Sequence, residues 1–318
     1  ILHRMGLIPI YTDNIEIFDT SKYKFILDVQ NKTDDIIDVT TKDIKIINLE
    51  TNLEVDNESF FPKNTISNDY ILITRLKPTA DGEGERLHLE GKCSKGTGKE
   101  HIRFSPVCKS LFINKRDPEK VSKELEKYLK SKGELTPEKV LKFKRKFELE
   151  EADRHFYVDN NGDPNNFEFT IKSIGVLKPH RILIEAIKFM ILKLNLFIGN
   201  LDKSINTQDS PIEIVESSGL MPAFDLIIHD ETHTLGFLLQ SYINKKYIKD
   251  NIFVGYMNPH PLEKKIKLRI KIQDNDITKL VSICKDSCSD LVKMFSNIRS
   301  EILKEFEGKV VFKPKKKQ

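Results

Sequence analysis

The sequence predicts an α+β protein with a β-rich stretch and two long helices whose apolar faces must be covered by other surfaces. Three observations carry this. Residues 222–272 hold a strand, a helix, a strand, a turn and a strand in succession. Residues 20–112 break into short alternating segments, KFILDVQ, IIDVTT, DIKIINL, DYILITRL and RLHLEGKC, separated by polar turns. Two further stretches, 180–198 and 277–306, have helical spacing and too much apolar surface to stand alone.

The second half is the more regular. Phe224, Leu226 and Ile228 alternate with Asp225, Ile227 and His229, a strand with one face wholly buried and the other partly so. Thr232 or Thr234 caps the helix that follows, whose stripe is Leu235, Leu238, Leu239, Tyr242 and Ile243. Gly236 inside it costs about 1 kcal/mol relative to Ala, so close backbone packing is expected there. NIFVGYMN is a second strand, stopped by Pro259-His260-Pro261 because proline donates no ladder hydrogen bond. Ile266, Leu268, Ile270 and Ile272 alternate with Lys265, Lys267, Arg269 and Lys271, a half-buried strand with a basic outer face. Asp276 then caps a helix with apolar residues at 277, 280, 284, 288, 291, 295, 298, 302 and 306, ended by Gly308. At 1.5 Å per residue it is roughly 45 Å long, more than so small a sheet can cover, so part of its stripe needs another surface.

The chain opens on Ile1 within a pattern, and an upstream segment is expected. Leu7-Ile8-Pro9-Ile10 is a short apolar piece held extended by its proline. In Gly91–Val107 the glycines beside a lysine invite comparison with a phosphate loop, but Thr97 stands where its lysine belongs and Glu100 follows Lys99, so nucleotide binding is set aside. Asp117-Pro118 and Thr136-Pro137 start two charged helices. In KVLKFKRKFELEEADRHF the cations are offset by Glu148, Glu150, Glu151 and Asp153, which favours a solvated face over a nucleic-acid helix. DNNGDPNN, 159–166, is a turn-rich break. FEFTIKSIG is a strand, and 180–198 is a helix apolar nearly all round that must be enclosed, ending at Gly199. Residues 200–221, polar with Pro211 and Gly219, read as a linker, with Pro222 just beyond.

With 318 residues the chain has room for two or three domains. A balance of 52 basic and 48 acidic residues, net +4, does not by itself imply nucleic-acid binding, and the KPKKKQ terminus reads as a solvated tail. The apolar run ILIEAIKFMILKLNLFI carries Glu185, Lys188 and Lys193, which favours a core helix over a membrane span. Four cysteines without a CxxC pair, and no signal peptide, point to an intracellular, reducing compartment.

Particular motifs carry a resemblance. His233-Thr234-Leu235-Gly236, Gly255-Tyr256 and Pro259-His260-Pro261-Leu262-Glu263 resemble, over about 220–305, the small assembly subunit of archaeal and eukaryotic RNA polymerases, L or subunit eleven. Thr232 and Phe237 depart from that family's usual acidic residue and Asn. HRMGLIPI, and the SIG-x-x-x-P strand with its helix, resemble the larger partner, archaeal D or subunit three, itself similar to the N-terminal domain of bacterial α; in that family a strand and a helix precede the first motif. ITRLKP followed by GTGKEHIRFSPV is similar to the surface by which subunit three docks onto the second-largest polymerase subunit, with Phe104 for the usual Trp and a longer ADGEGER loop. The chain thus resembles both subunits joined end to end, as in large cytoplasmic DNA viruses of the asfarvirus type.

The resemblance implies bacterial-α-like dimerisation domains with an inserted β-rich domain. Residues 1–19 and 167–199 would be the subunit-three-like half, 20–166 the insertion with two charged helices, 200–221 the linker, 222–308 the subunit-eleven-like half and 309–318 a basic tail. It implies a non-catalytic assembly platform for a DNA-directed RNA polymerase. His3, Arg4, Gly6, Pro9, Gly96, Gly98, Lys99, His101, Phe104 and Pro106 would meet the large subunits. Ile184, Ile187, Ile191, His233, Leu235, Leu239, Leu291, Phe295 and Ile298 would form the dimerisation interface. The expected partners are the second-largest and largest subunits and small zinc-bearing ones, with no sequence-specific nucleic-acid contact and no membrane. No cofactor is expected on this chain, magnesium and zinc belonging to other subunits. A viral version would act in host cytoplasm and be packaged in the virion.

Other chemistry fits less well. His229 and His233 are four apart, but Glu231 is one place late for a zinc-protease helix and His229 belongs to the strand. Cys284 and Cys288 lie on the apolar stripe, as buried structural thiols do. Some subunit-three relatives carry a four-cysteine metal loop, whereas only Cys93 and Cys108 fall in the corresponding region. A stand-alone nucleic-acid-binding regulator, marked by salt-sensitive DNA affinity, and a metal hydrolase, marked by stoichiometric zinc, are the alternatives.

Overall fold

The computed structural model describes residues 1–12, 15, 17–79, 83–134, 136–206, 210–217, 223–272 and 276–307. The chain divides into two compact units, Ile1–Pro179 and His180–Gln318.

The first unit opens with a single helical turn, α1 (Leu2–Met5), followed by β1 (Tyr23–Gln30), β2 (Ile37–Thr40), β3 (Ile44–Asn48), β4 (Glu54–Val55), α2 (Asn57–Phe60), β5 (Leu72–Leu76) and β6 (Arg86–Lys92). A sheet of order β4-β3-β1-β6 and a β2–β5 ladder enclose Leu27, Val39, Ile44, Ile46, Phe60, Phe61, Ile73 and Leu76. The alternating segments of the sequence are these strands, one side chain in two turned inward. Buried Asn31 ties two of them, its Nδ2 donating to the carbonyls of Leu76 and Asp35. Next come β7 (Val107–Asn114), α3 (Pro118–Lys130), α4 (Pro137–Glu150) and β8 (Phe167–Ser173). Asp117 caps α3 through the amides of Glu119 and Lys120. Strands β7 and β8 pair antiparallel, with Phe112 opposite Phe169, so the strand that resumes the first half in the sequence-based division is bonded to one from the stretch assigned to the insertion.

In the second unit α5 (Pro179–Asn206), β9 (Ile212–Glu216), β10 (Phe224–His229), α6 (His233–Lys246), β11 (Phe253–Met257), β12 (Lys265–Lys271) and α7 (Ile277–Glu307) follow in order. The sheet runs β11-β12-β10-β9, antiparallel throughout. Asp276 caps α7, its Oδ1 accepting the Thr278 amide at 2.8 Å.

Three expectations are corrected. Helix α5 does not stop at Gly199 but runs to Asn206, because Leu201, fully buried, gains more than the roughly 1 kcal/mol that glycine costs in a helix. Residues 212–216 are not linker but strand β9, Ile212 reaching the core while Glu213 faces out. Nor do the described residues of the second unit enclose α5 on all sides: Phe189, Leu192 and Leu196 are more than half exposed. The Gly308 stop, the 309–318 tail, Gly219, Pro222 and residues 80–82 of the ADGEGER loop lie outside the described residues.

Candidate functional site

Two segments far apart in sequence converge in the first unit. α1 ends at Gly6 and the chain leaves it through Leu7-Ile8-Pro9-Ile10; the other segment turns at a 3-10 helix, Ile102–Phe104. His101 caps that turn, its Nδ1 accepting the Arg103 amide at 3.1 Å. Between the segments lies a cleft of about 290 Å³. Gly6, Pro9, Gly96, Phe104 and Pro106 line it, five of the residues expected to meet a partner. The other five do not. Arg4 turns away to donate from Nη2 to the Leu72 carbonyl at 2.9 Å, and His3, Gly98, Lys99 and His101 lie off the lining.

The glycine at 96 has a steric reason. A Cβ there would come within 2.5 Å of the Phe104 ring, so only glycine lets that ring fill the slot. Sequence reading missed Arg103, whose guanidinium stands 5.7 Å over the Phe104 ring, a cation–π contact, and reaches the cleft. Its alternation with Phe104 in a capped turn was the available signal. Lys92 and Lys95 complete a basic rim around a wall of Met5, Ile8 and Ile10, and no carboxylate lines the cleft among the described residues. Chemically it suits an apolar side chain flanked by acidic ones.

The second unit supplies the other candidate surface. Leu194, Phe197 and Leu201 of α5 share one buried cluster with Leu280, Cys284, Cys288 and Leu291 of α7, the sheet, and Leu235 and Leu239 of α6. Phe295 packs on its margin. Ile184 and Ile187 are buried and Ile191 partly so, whereas His233 and Ile298 are exposed. Lys285 pairs with Asp202 and His180 stacks on Phe306 at 5.3 Å, so the two long helices are also linked by a polar and an aromatic contact, while Lys193 ties α5 to Glu231 in the turn before α6 at 2.6 Å. Burial pushes the Cys284 thiol up to about 12 and raises that of Cys288 as well, leaving both uncharged.

Gly236 shows the close approach expected of it. A Cβ there would sit 2.2 Å from the Tyr256 ring, whose hydroxyl meets His233 Nδ1 at 2.5 Å. His233 therefore belongs to a Gly-Tyr-His contact at the helix start rather than to the core. His229 instead places its Nε2 2.8 Å from Glu213, so the two histidines do not converge. Among the described residues no cluster of three or more His, Cys, Asp or Glu is disposed to hold a metal, and no helix is long and apolar enough to cross a membrane. Asp225, 5% exposed, was read from the sequence only as a position on the partly buried face of its strand; the register sets it opposite Arg269, which grips both its oxygens at 2.7 and 2.8 Å while Lys267 approaches at 2.6 Å. Arg269's hydrogen bonds, with Lys267 adding to them, hold its carboxyl below the usual range against the opposing pull of burial.

Residues 223–301 match the RNA polymerase Rpb3/Rpb11 dimerisation domain. The chain is 26% identical over 247 residues to the RNA polymerases I and III subunit rpac1 of Dictyostelium discoideum, covering 64% of this chain and 66% of that protein. It is 23% identical over 276 residues to a putative DNA-directed RNA polymerase subunit of Acanthamoeba polyphaga mimivirus, covering 86% of this chain and 63% of that one. It thus spans just under two thirds of the length of both. A probable RNA polymerase II subunit RPB11 of Caenorhabditis briggsae is 34% identical over 94 residues, 30% of this chain and 74% of that protein. The chain belongs to the RNA polymerase subunit family built on the Rpb3/Rpb11 dimerisation domain.

Proposed function

We propose that this protein is the non-catalytic assembly platform of a multisubunit DNA-directed RNA polymerase, carrying subunit-three-like and subunit-eleven-like parts in one polypeptide. The observation that carries the reading is the single interior shared by α5 and α7. α5 follows the subunit-three-like motif, α7 closes the matched dimerisation domain, and each covers apolar side chains of the other. At about 25 cal/mol per Å² such a contact holds the pair together. Joining the parts covalently enforces one-to-one pairing and keeps the effective concentration at about millimolar or above.

In this reading the basic-rimmed cleft around Phe104 receives the second-largest subunit, the largest subunit joins next, and small zinc-bearing subunits sit alongside. Magnesium and catalysis reside in the large subunits, and this chain binds no cofactor. The mimivirus relative supports a viral polymerase, acting in host cytoplasm and packaged in the virion. Affinity purification of the tagged chain from producing cells tests the proposal. Two very large polymerase subunits in equal amounts are expected; nucleotide incorporation by the purified chain alone, or recovery without those subunits, overturns it.

A further inference from the structure

In the sequence, the cations of α4 are set against four carboxylates further along the same helix and just beyond it. The structure separates the two groups. Arg116, two residues beyond β7, holds Glu148 and reaches Asp153 Oδ1 at 2.6 Å; Lys146 stands 3.8 Å from Glu150, and Arg154 3.1 Å from Glu151. Every one of the four carboxylates is thereby matched close at hand. Lys139, Lys142, Lys144 and Arg145, on the two preceding turns, are exposed, and none has an ion-pair partner among the described residues.

The imbalance is concentrated in one place. From 130 to 145 the end of the α3–α4 hairpin carries Lys130, Lys132, Lys139, Lys142, Lys144 and Arg145 against Glu134 and Glu138, a formal +4, equal to that of the whole chain. The rest of the protein is formally neutral. Tyr128 of α3 lies 5.4 Å from Phe147 and 6.3 Å from Phe143 of α4, so the aromatic rings face inward and the cations outward. Lys139, Lys142 and Arg145 are three residues apart and follow one side of the helix over roughly 9 Å.

We propose that this hairpin end binds the phosphates of nucleic acid without reading its sequence. An acidic protein is the competing occupant, and the apolar surface argues against it. Leu141 and Leu149 are the exposed aliphatic residues of α4 and lie roughly 12 Å apart, with no exposed aromatic residue between them to anchor a protein surface. Point charges without apolar anchors respond to charge density, and a duplex presents one charge per about 1.7 Å.

The test uses the full chain, with fluorescence anisotropy of a labelled duplex DNA and of a single-stranded RNA between 50 and 200 mM salt. Four phosphate contacts give a slope of log K against log salt of about −3.6 for the duplex and about −2.8 for the single strand, or roughly 150-fold and 50-fold weakening across that range. Replacing Lys139, Lys142, Lys144 and Arg145 together with Gln is expected to abolish most of the slope while the circular dichroism stays unchanged. A control replaces the exposed Lys42, Lys45, Lys245 and Lys249 with Gln and removes the same charge elsewhere. Binding of DNA, of RNA or of both, lost in the first variant and kept in the control, supports the proposal and names the source of the phosphates. Absent binding, an unchanged first variant, equal losses in both variants, or equally tight binding of polyglutamate overturns it. The assay needs no other subunit, so its failure leaves the co-purification result, and the assembly reading, untouched.

Discussion

Truncating Leu194 to Ala probes the shared interior directly. The side chain is fully buried in the cluster joining α5 to α7 and the sheet. Losing three methylene-sized groups at about 0.8 kcal/mol each gives about 2.4 kcal/mol, and the cavity left behind raises the cost to roughly 3–5 kcal/mol. Leu196, two residues on and 56% exposed, is the internal comparison: L196A should change stability by no more than about 0.5 kcal/mol. Urea unfolding followed by circular dichroism reads both, with equal m-values showing that the unfolded states match. Since the chain has two units, the transition of the second must be resolved, for which a probe reporting on Tyr256 serves. Equal costs at the two positions, or a cost below about 1 kcal/mol at Leu194, would refute the claim that α5 and α7 are held by burial of this face.

Three other outcomes are expected. Gly236→Ala drives a methyl group into the Tyr256 ring and should destabilise by about 1–3 kcal/mol in the same assay, an effect largely removed when Tyr256 is also replaced by Ala. Asp225→Asn weakens three charge-assisted contacts, two to Arg269 and one to Lys267, and should cost about 2 kcal/mol at neutral pH. Because the folded carboxyl titrates below its unfolded value of about 3.9, its contribution is present above that value and lost as the pH falls through the lowered folded one; a pH series of unfolding curves should show the wild type and D225N converging there. Finally, a thiol reagent at pH 8 should label exposed Cys108 quickly, Cys93 more slowly, and Cys284 and Cys288 only after unfolding, as quantitative mass spectrometry would show.

Much of this fold was legible where one physical requirement dominated. Strand β12 stands out because burial of one face imposes strict alternation on Ile266 to Ile270, and β10 because Phe224, Leu226 and Ile228 mark its wholly buried face. The capped starts of α3 and α7 are equally local, since Asp117 and Asp276 act within three residues of themselves. Where the reading failed, the deciding contact was distant. Nothing near Gly199 signals that Leu201 will be needed in a core built by β10 and α7, so the helix seemed to end there. Charge counting along α4 left open which cations are paired for a similar reason, Arg116 lying 37 residues from Asp153 in the chain. The cleft was half legible: its two signature segments were visible, but only folding brings Arg103, Phe104 and Gly6 to one wall.

Strand β9 has a consequence of its own. Without it, β10, whose residues are nearly all buried, would present a bare row of amide and carbonyl groups, a template that other copies could extend into aggregates. A short strip bearing Glu213 and Glu216 occupies that margin instead, and its charges resist further stacking. Any truncation that begins the second half at Ala223 would strip away this guard together with the α5 side chains that share the core with α7, and should yield insoluble material.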